Sequence, residues 1–582
     1  MESVIKLIKK LLRRASTTFS SLKKKFSKRV NVDSILEHVI VLELYTLLTI
    51  IAFHKVFILG IDKVLIGDGG DAYQHVWNFW WVRKAIIEGK DIFYTDYLFY
   101  PHGTHLYFHT LNLLWSFLSI PFQHFLDRVA IYNLFLITTC VLNMISFYFL
   151  INILLKDKKI SFIGGFSFGF STYFWGKALG QLDLASIFIF PLFLISYIKF
   201  INSTSLRQMT IWGFIISLNF LLSLLVHYHY FIIMILLAVF LFMFDVMKII
   251  KNLRLISISI LVFLFSLLLI SPFLLRFGKI DYRDAIIPLD NVASVKLEDY
   301  FKPSPFSIIG LETNHIFYPW PEYSSLANVT SLGFTQLFII ICSIILHTIG
   351  KISLSKNFWK FSFLLICFFI LSLGPIINIP FFNLRLPSPM YEFLYFYFPF
   401  FNTIGKVPKV NVLVMFLFNI IFCHSLYEIS KKVNGARRNI IFVALTFFFV
   451  LIENFPIYYY FYSIPEIPHL LKEKDIIIFE IPPLENFRGM YYQTIHENRL
   501  IGGYISRYPS TALTTMKSIE DYVKNSYRGE LKEILRNLNL KYIILYKDYV
   551  TQDPKYLKIL EAVKPLEIYS SPHHSVYVVS LE

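Results

Sequence analysis

Gly67-Asp68-Gly69-Gly70-Asp71-Ala72-Tyr73-Gln74-His75-Val76-Trp77-Asn78-Phe79-Trp80-Trp81 follows closely on the first long apolar run of this chain, residues 38–61. Two carboxylates, Asp68 and Asp71, therefore stand where a membrane span meets water. Charge at that depth is costly, so paired acids there mark either a solvated loop or a functional site. The three glycines free the backbone for a tight turn. From Ala72 to Ile87 the apolar spacing is helical and rich in Trp, which predicts a helix lying along the membrane interface. Asp71 is placed to cap that helix; Asp68 has no such structural role. His75 lies one helical turn beyond Asp71, so the two could share a metal ion or a proton.

Outward from this motif, the chain reads as membrane-embedded. Of its 582 residues, 56% are hydrophobic and only 16% are charged, and the mean hydropathy is +0.57. A soluble chain of this length has no interior large enough for that much apolar surface. Apolar segments at roughly 38–61, 131–155, 161–176, 184–201, 209–226, 229–247, 255–276, 331–349, 358–376, 410–430 and 438–460 predict a polytopic α-helical protein with about eleven spans. The segment 111–126 holds Pro121, Gln123 and His124 and is read as a re-entrant or interfacial helix.

The charge pattern sets the expected orientation. The net charge is +16, and residues 1–30 alone carry ten basic side chains against one acid, Glu2. A basic tail before a span is a topology signal and a lipid-surface contact rather than a nucleic-acid site. The spacing of Val4, Ile5, Ile8, Leu11 and Leu12 predicts an amphipathic interfacial helix within a cytoplasmic segment 1–37. With the N-terminus inside, Lys156 to Lys159, Arg207, Lys248 to Arg254, Lys351 to Lys356 and Lys431 to Arg438 all fall on inner loops, as the positive-inside rule requires. Long outer loops then cover 62–130, 277–330 and 377–409 of a membrane domain 38–463, and long loops in a compact protein are commonly functional. Residues 464–582 alternate short β-type runs, such as Ile476 to Phe479 and Tyr542 to Tyr546, with helical stretches at 517–525 and 529–538. They predict a small extracytoplasmic α/β domain. The four cysteines lie in apolar runs without CxxC spacing and read as buried thiols.

Other candidate groups lie on the outer side. Phe401-Asn402-Thr403-Ile404-Gly405-Lys406-Val407-Pro408-Lys409 opens the span 410–430, and two outer cations suit a lipid phosphate or interfacial snorkelling. The 277–330 loop combines acids such as Asp290, Glu298 and Asp299 with Tyr300, Tyr318 and Trp320, a mixture that suits a sugar or an ordinary solvated loop. His227-Tyr228-His229 falls at an outer helix turn. Gly502-Gly503-Tyr504, flanked by His496 and Arg507, shows no catalytic constellation. Walker A and HExxH motifs are absent from the sequence.

An apolar first span followed by a large outer loop that opens on an acidic motif resembles the GT-C superfamily of integral-membrane glycosyltransferases. Gly67-Asp68-Gly69-Gly70-Asp71, Tyr100-Pro101-His102-Gly103, Leu373-Gly374-Pro375 and Tyr491-Tyr492-Gln493-Thr494-Ile495-His496 are similar to bacterial and archaeal members of that group. The resemblance covers most of the chain. It implies a GT-C-like membrane domain that moves a sugar from a polyprenyl-phosphate donor to a glycan, lipid or protein acceptor on the outer face, with inversion at the anomeric carbon. The family role of the first-loop acid carries over to Asp68 as general base, with Asp71 as supporting or metal-binding acid. Lys406 and Lys409 would meet the donor phosphate. A tandem Asp-x-Asp or Asp-Glu pair, found in several branches, is missing, so a divalent cation such as Mg or Mn is left open. Two other classes remain alongside: a transporter or flippase of lipid-linked glycans, and a non-catalytic assembly protein. Transporters place ionisable residues mid-span, whereas here they gather at the outer rim.

Overall fold

The computed structural model describes residues 32–67, 70–277, 286–310, 329–379, 384–464, 474–481, 487–506, 540–546, 566–570 and 574–578. Asp68, the N-terminal amphipathic helix, the stretches 517–525 and 529–538, Tyr318, Trp320 and Arg507 lie outside the described residues. The chain divides into two compact units, Met1–Ile51 and Ala52–Glu582. In the first, the described part is the apolar helix Val32–Ala52. Its Thr46 and Thr49 hydroxyls donate to the carbonyls of Leu42 and Tyr45 at 2.8 Å, hiding their polarity within the helix.

The protein is a polytopic α-helical membrane protein. Among the described residues, seven helices are long and apolar enough to cross a bilayer: Ile35–Ala52, Arg128–Leu155, Leu182–Ile201, Leu206–Val226, Tyr228–Ile250, Leu253–Arg276 and Val407–Ser430. The other apolar segments of the sequence are helical too, but shorter or more polar: Lys158–Gly169, Phe334–Thr348, Lys356–Ser372 and Ala436–Asn454, the last carrying Arg437, Arg438 and Glu453. The expected 161–176 span is broken because the Ser171 hydroxyl accepts from the Phe174 N–H and starts a new helix, Thr172–Ala178. Polar caps set the other boundaries. Asp127 opens Arg128–Leu155 by accepting from Val129, and Asp157 opens Lys158–Gly169 by accepting from Lys159 and Ile160. The segment 111–126 forms the ten-residue helix Leu113–Phe122.

The expected helix is present as Asp71–Ile87, and protein covers it. All residues from Ala72 to Val82 are buried. A helix buried on every face belongs to a core, and this one packs against Leu113–Phe122, Arg128–Leu155 and Phe487–His496. The turn that leads into it is fixed by one side chain. Asn133 donates to the carbonyls of Ile61 and Val64 at 2.8 and 2.6 Å and accepts from the Ile66 N–H at 3.0 Å. The strand Val64–Ile66 pairs antiparallel with Phe461–Ser463, and the Gly67 N–H donates to the Tyr460 carbonyl. Gly67 has φ +125°, and a Cβ there would lie 2.7 Å from the Leu179 carbonyl oxygen. Only glycine allows the acidic turn to press onto the Leu179–Gln181 turn.

Beyond the last apolar helix the chain builds a five-stranded mixed sheet, in the order Leu566–Ser570, His574–Val578, Leu540–Tyr546, Ile477–Ile481, Arg499–Leu500. The first two pairings are antiparallel and the last two parallel. This sheet and the helix Phe487–His496 are stitched to the segment 71–100. Trp77 Nε1 donates to Gln493 Oε1 at 2.7 Å, Gln493 Nε2 donates to the carbonyls of Tyr97 and Asn498, and Lys84 lies 3.2 Å from Glu497. The Tyr100 N–H donates to the Leu500 carbonyl, the Leu500 N–H to Tyr97, and the Phe99 N–H to Gly502.

Candidate active site

A polar cavity of about 450 Å³ collects the chemistry of the chain. The first turn of Asp71–Ile87 supplies Asp71, Gln74 and His75. The turn before the short helix Leu182–Ala185 supplies Gln181, and that helix supplies Asp183. His227 comes from the joint between two long helices, Lys406 and Lys409 from the turn that precedes Asn411–Ser430, Ile287 and Asn291 from the segment 286–310, and Tyr504 to Ser506 from the C-terminal segment. The structure thus brings Asp71, His75, Lys406 and Lys409 to one cavity.

The geometry departs from the sequence reading at Asp71. Gly70 is the capping residue, and no side-chain cap hydrogen bond is made there. The Asp71 carboxylate turns to the cavity instead. Gln181 Nε2 donates to its Oδ2 at 3.0 Å, and the Tyr504 hydroxyl donates to its Oδ1 at 2.8 Å. His75 is directed elsewhere too. Its Nε2 lies 3.4 Å from Asp183 Oδ1, and its ring stacks on Tyr132. His227 approaches the same buried acid, Nε2 to Oδ2 at 3.6 Å, while its Nδ1 accepts from the His229 N–H at 3.0 Å. That contact places the His227 proton on Nε2, facing Asp183.

Lys409 is braced rather than snorkelling. Its Nζ is 2.8 Å from His229 Nδ1, and His229 Nε2 is 3.2 Å from the Thr403 carbonyl. The carbonyl can only accept, so Nε2 carries the proton and Nδ1 accepts from the ammonium. Lys406 is exposed. Its backbone is set by a bridge to Ala293, flanked by reciprocal bonds between Ala293 and the pair Gly405 and Val407. A third cation, Lys177, is 3% exposed. Burial pushes its ammonium down to about 7. The Lys406 charge acts in the same direction, and Asp183 and Asp71 oppose it.

Asp183, Gln181 and Lys177 were not singled out by sequence reasoning, and Tyr504 stood in a motif read as carrying no catalytic constellation. Asp183 had a legible signal, a lone acid at the edge of the apolar run 184–201. Tyr504 had none beyond its glycine neighbours. Other candidates resolve into structural roles. The Tyr300 hydroxyl contacts Ser372 and donates to Asn411, and Asp299 pairs with Lys302 at 2.6 Å. Among the described residues no three His, Cys, Asp or Glu side chains are grouped to hold a metal ion.

The polar cavity has an apolar neighbour. A cleft of about 340 Å³ is lined by Phe108, Leu224, Tyr228, Phe231, Ile270, Phe273, Phe398 and Phe400 among others. A small space between them shares Thr110 and His227 with the polar cavity and Leu224, Tyr228 and Phe273 with the cleft.

In its fold the chain is similar to solved integral-membrane glycosyltransferases. The arabinofuranosyltransferase AftD from Mycobacteria superposes with a TM-score of 0.56 at 11% identity, over 93% of this chain and 41% of that one. The Archaeoglobus fulgidus oligosaccharyltransferase in its apo form aligns over 95% of this chain and 75% of its own, with 14% identity and a TM-score of 0.49. ArnT from Cupriavidus metallidurans bound to undecaprenyl phosphate aligns over 94% and 98%, with 9% identity and a TM-score of 0.46. No family model and no curated protein sequence matches the chain.

Proposed function

We propose that this chain is a GT-C glycosyltransferase that moves a sugar from a polyprenyl-phosphate donor to an acceptor hydroxyl at the outer face of the cell membrane, with inversion at the anomeric carbon. The observation that carries this reading is the junction of an acid- and lysine-lined cavity with an apolar cleft at His227 and Tyr228. A lipid-linked sugar has that same division. The prenyl chain suits the cleft, the phosphate suits Lys409 and Lys406, and the sugar suits the polar cavity. The fold shared with AftD, itself an arabinofuranosyltransferase by name, supports the reaction class.

In this reaction the acceptor oxygen bonds to the anomeric carbon as the bond from that carbon to the phosphate oxygen breaks. The electron pair leaves on the phosphate, and the acceptor proton passes to a carboxylate. A positioned carboxylate base contributes ~10²–10⁴-fold. Asp68 is our assignment for the base and Asp71 for the supporting acid; His75 lines the same cavity as a substrate contact. The lysines offset the charge growing on the phosphate. A divalent cation such as Mg or Mn would be held by Asp71 together with oxygens of the donor phosphate. The basic loops read the N-terminus as cytoplasmic and the C-terminal sheet as extracytoplasmic.

The test is turnover. Purified protein in nanodiscs is incubated with a panel of labelled polyprenyl-phosphate sugars, and transfer or donor hydrolysis is followed. Asp68→Asn is expected to abolish turnover while leaving the thermal unfolding curve in place. Full activity in that variant would remove Asp68 from the mechanism. Movement of intact donor across vesicles without turnover would favour a flippase.

A further inference from the structure

The C-terminal segment returns to the cavity along a defined path. The parallel strand Arg499–Leu500 is held by two backbone hydrogen bonds with Tyr97 and Tyr100, and the Gly502 carbonyl accepts from the Phe99 N–H. Gly503 runs so close to the first loop that a Cβ there would lie 3.2 Å from Leu98 and from Phe99. The next residue is Tyr504. Its ring stands edge-on to Phe487, centroids 4.5 Å apart at 77°, and its hydroxyl donates to Asp71 Oδ1 at 2.8 Å. Gln181 holds the other oxygen of the same carboxylate. One donor comes from the membrane helices and the other from the C-terminal segment, so the orientation of Asp71 is decided jointly.

We propose that Tyr504 is a positioning residue for the transfer reaction, acting through Asp71, and that the C-terminal α/β segment is therefore a working part of the site rather than a cover. This rests on the reading of the cavity as a glycosyl-transfer site. The phenol restrains the rotation of a carboxylate that must face the reacting atoms. Removing the hydroxyl while keeping the ring leaves the Phe487 contact intact, so Tyr504→Phe separates the two contributions of this side chain.

The experiment compares wild type and Tyr504→Phe in nanodiscs with the donor that wild type turns over, measuring kcat and KM from pH 4.5 to 9 together with thermal unfolding. The expected result is a ~10–100-fold loss in kcat and a donor KM within about twofold of wild type, the pattern of an interaction needed at the reacting centre. Unfolding should shift little. An unchanged kcat in an active enzyme overturns the proposal for Tyr504 alone. A donor KM that rises as much as kcat falls, or a loss of kcat accompanied by a lower unfolding temperature, also overturns it, as the mark of a merely structural role. Absence of turnover in wild type with every donor overturns the transfer reading itself, and this role of Tyr504 with it.

Discussion

At the scale of single residues, the site is built from short polar contacts whose partners are distant in sequence. Asp71 looked like a helix cap and is instead a cavity acid, because Gly70 holds the capping position and two donors draw the carboxylate away from the helix end. Lys409 looked like one of two interfacial cations and is instead held by His229. The two lysines should therefore contribute unequally. Lys409→Gln removes a braced charge and is expected to raise the donor KM ~10–100-fold, whereas Lys406→Gln, from an exposed position, should raise it less than ~10-fold. Michaelis constants from initial-rate assays check both. Equal effects would contradict the bracing argument. The residue types at these positions were legible in the sequence because each is unusual beside an apolar run. Their partners were not.

At the scale of elements, burial overrode local pattern. The Trp-rich stretch after Asp71 carries no polar face wide enough for water, so it became a core helix once Phe487–His496 covered it. The sheet beyond it contains a cost of its own. Glu480 is fully buried on Ile477–Ile481, receives the Tyr546 hydroxyl on Oε1 at 3.0 Å, and presses its other oxygen onto Gly489. Burial pushes its carboxyl up to about 8 from an ordinary value of 4.5. The sign follows directly. The folded state holds this proton more tightly than the unfolded state, so the contribution to stability is complete below about pH 4.5 and is lost as pH rises through about 8. Glu480→Gln cannot ionise and still accepts from Tyr546. It should stabilise the sheet by roughly 2–4 kcal/mol at pH 8 relative to pH 5, read as slower amide exchange in Ile477–Ile481 and Leu540–Tyr546 at the higher pH. An equal effect at both values would mean that the acid does not titrate in this range.

At the scale of the whole molecule, the decisive feature is the meeting of two unlike spaces. The apolar cleft has almost no polar lining and opens between the helices Leu206–Val226, Tyr228–Ile250 and Leu253–Phe277 and the turn at Phe398 to Phe400. A donor whose prenyl chain is cut to one isoprene unit should lose the burial of the remaining chain, about 0.8 kcal/mol per methylene. The expected outcome is a donor KM raised at least ~100-fold with the same sugar and phosphate. Competition by the free long-chain polyprenyl phosphate, measured against the short donor, checks the same surface. A short-chain donor used as well as the long one would show that the cleft does not hold the lipid.

What the sequence by itself determined is the class of solvent this protein lives in and which polar residues stand out against it. Apolar runs of bilayer length, basic loops and an acidic turn at the end of the first span are local properties, and local properties can be read from neighbours in the chain. The segmentation into spans was already less secure, since a single capping hydroxyl at Ser171 ends one helix and begins another. Only the tertiary structure decided which groups act together. Gln181 reaches Asp71 across 110 positions and Tyr504 across 433, while His75 and His227 share an acid, Asp183, that lies on a different helix from either. Hydrogen bonds of 3 Å depend on the packing of whole helices, and no periodicity along the chain encodes which distant donor that packing will deliver to a given carboxylate.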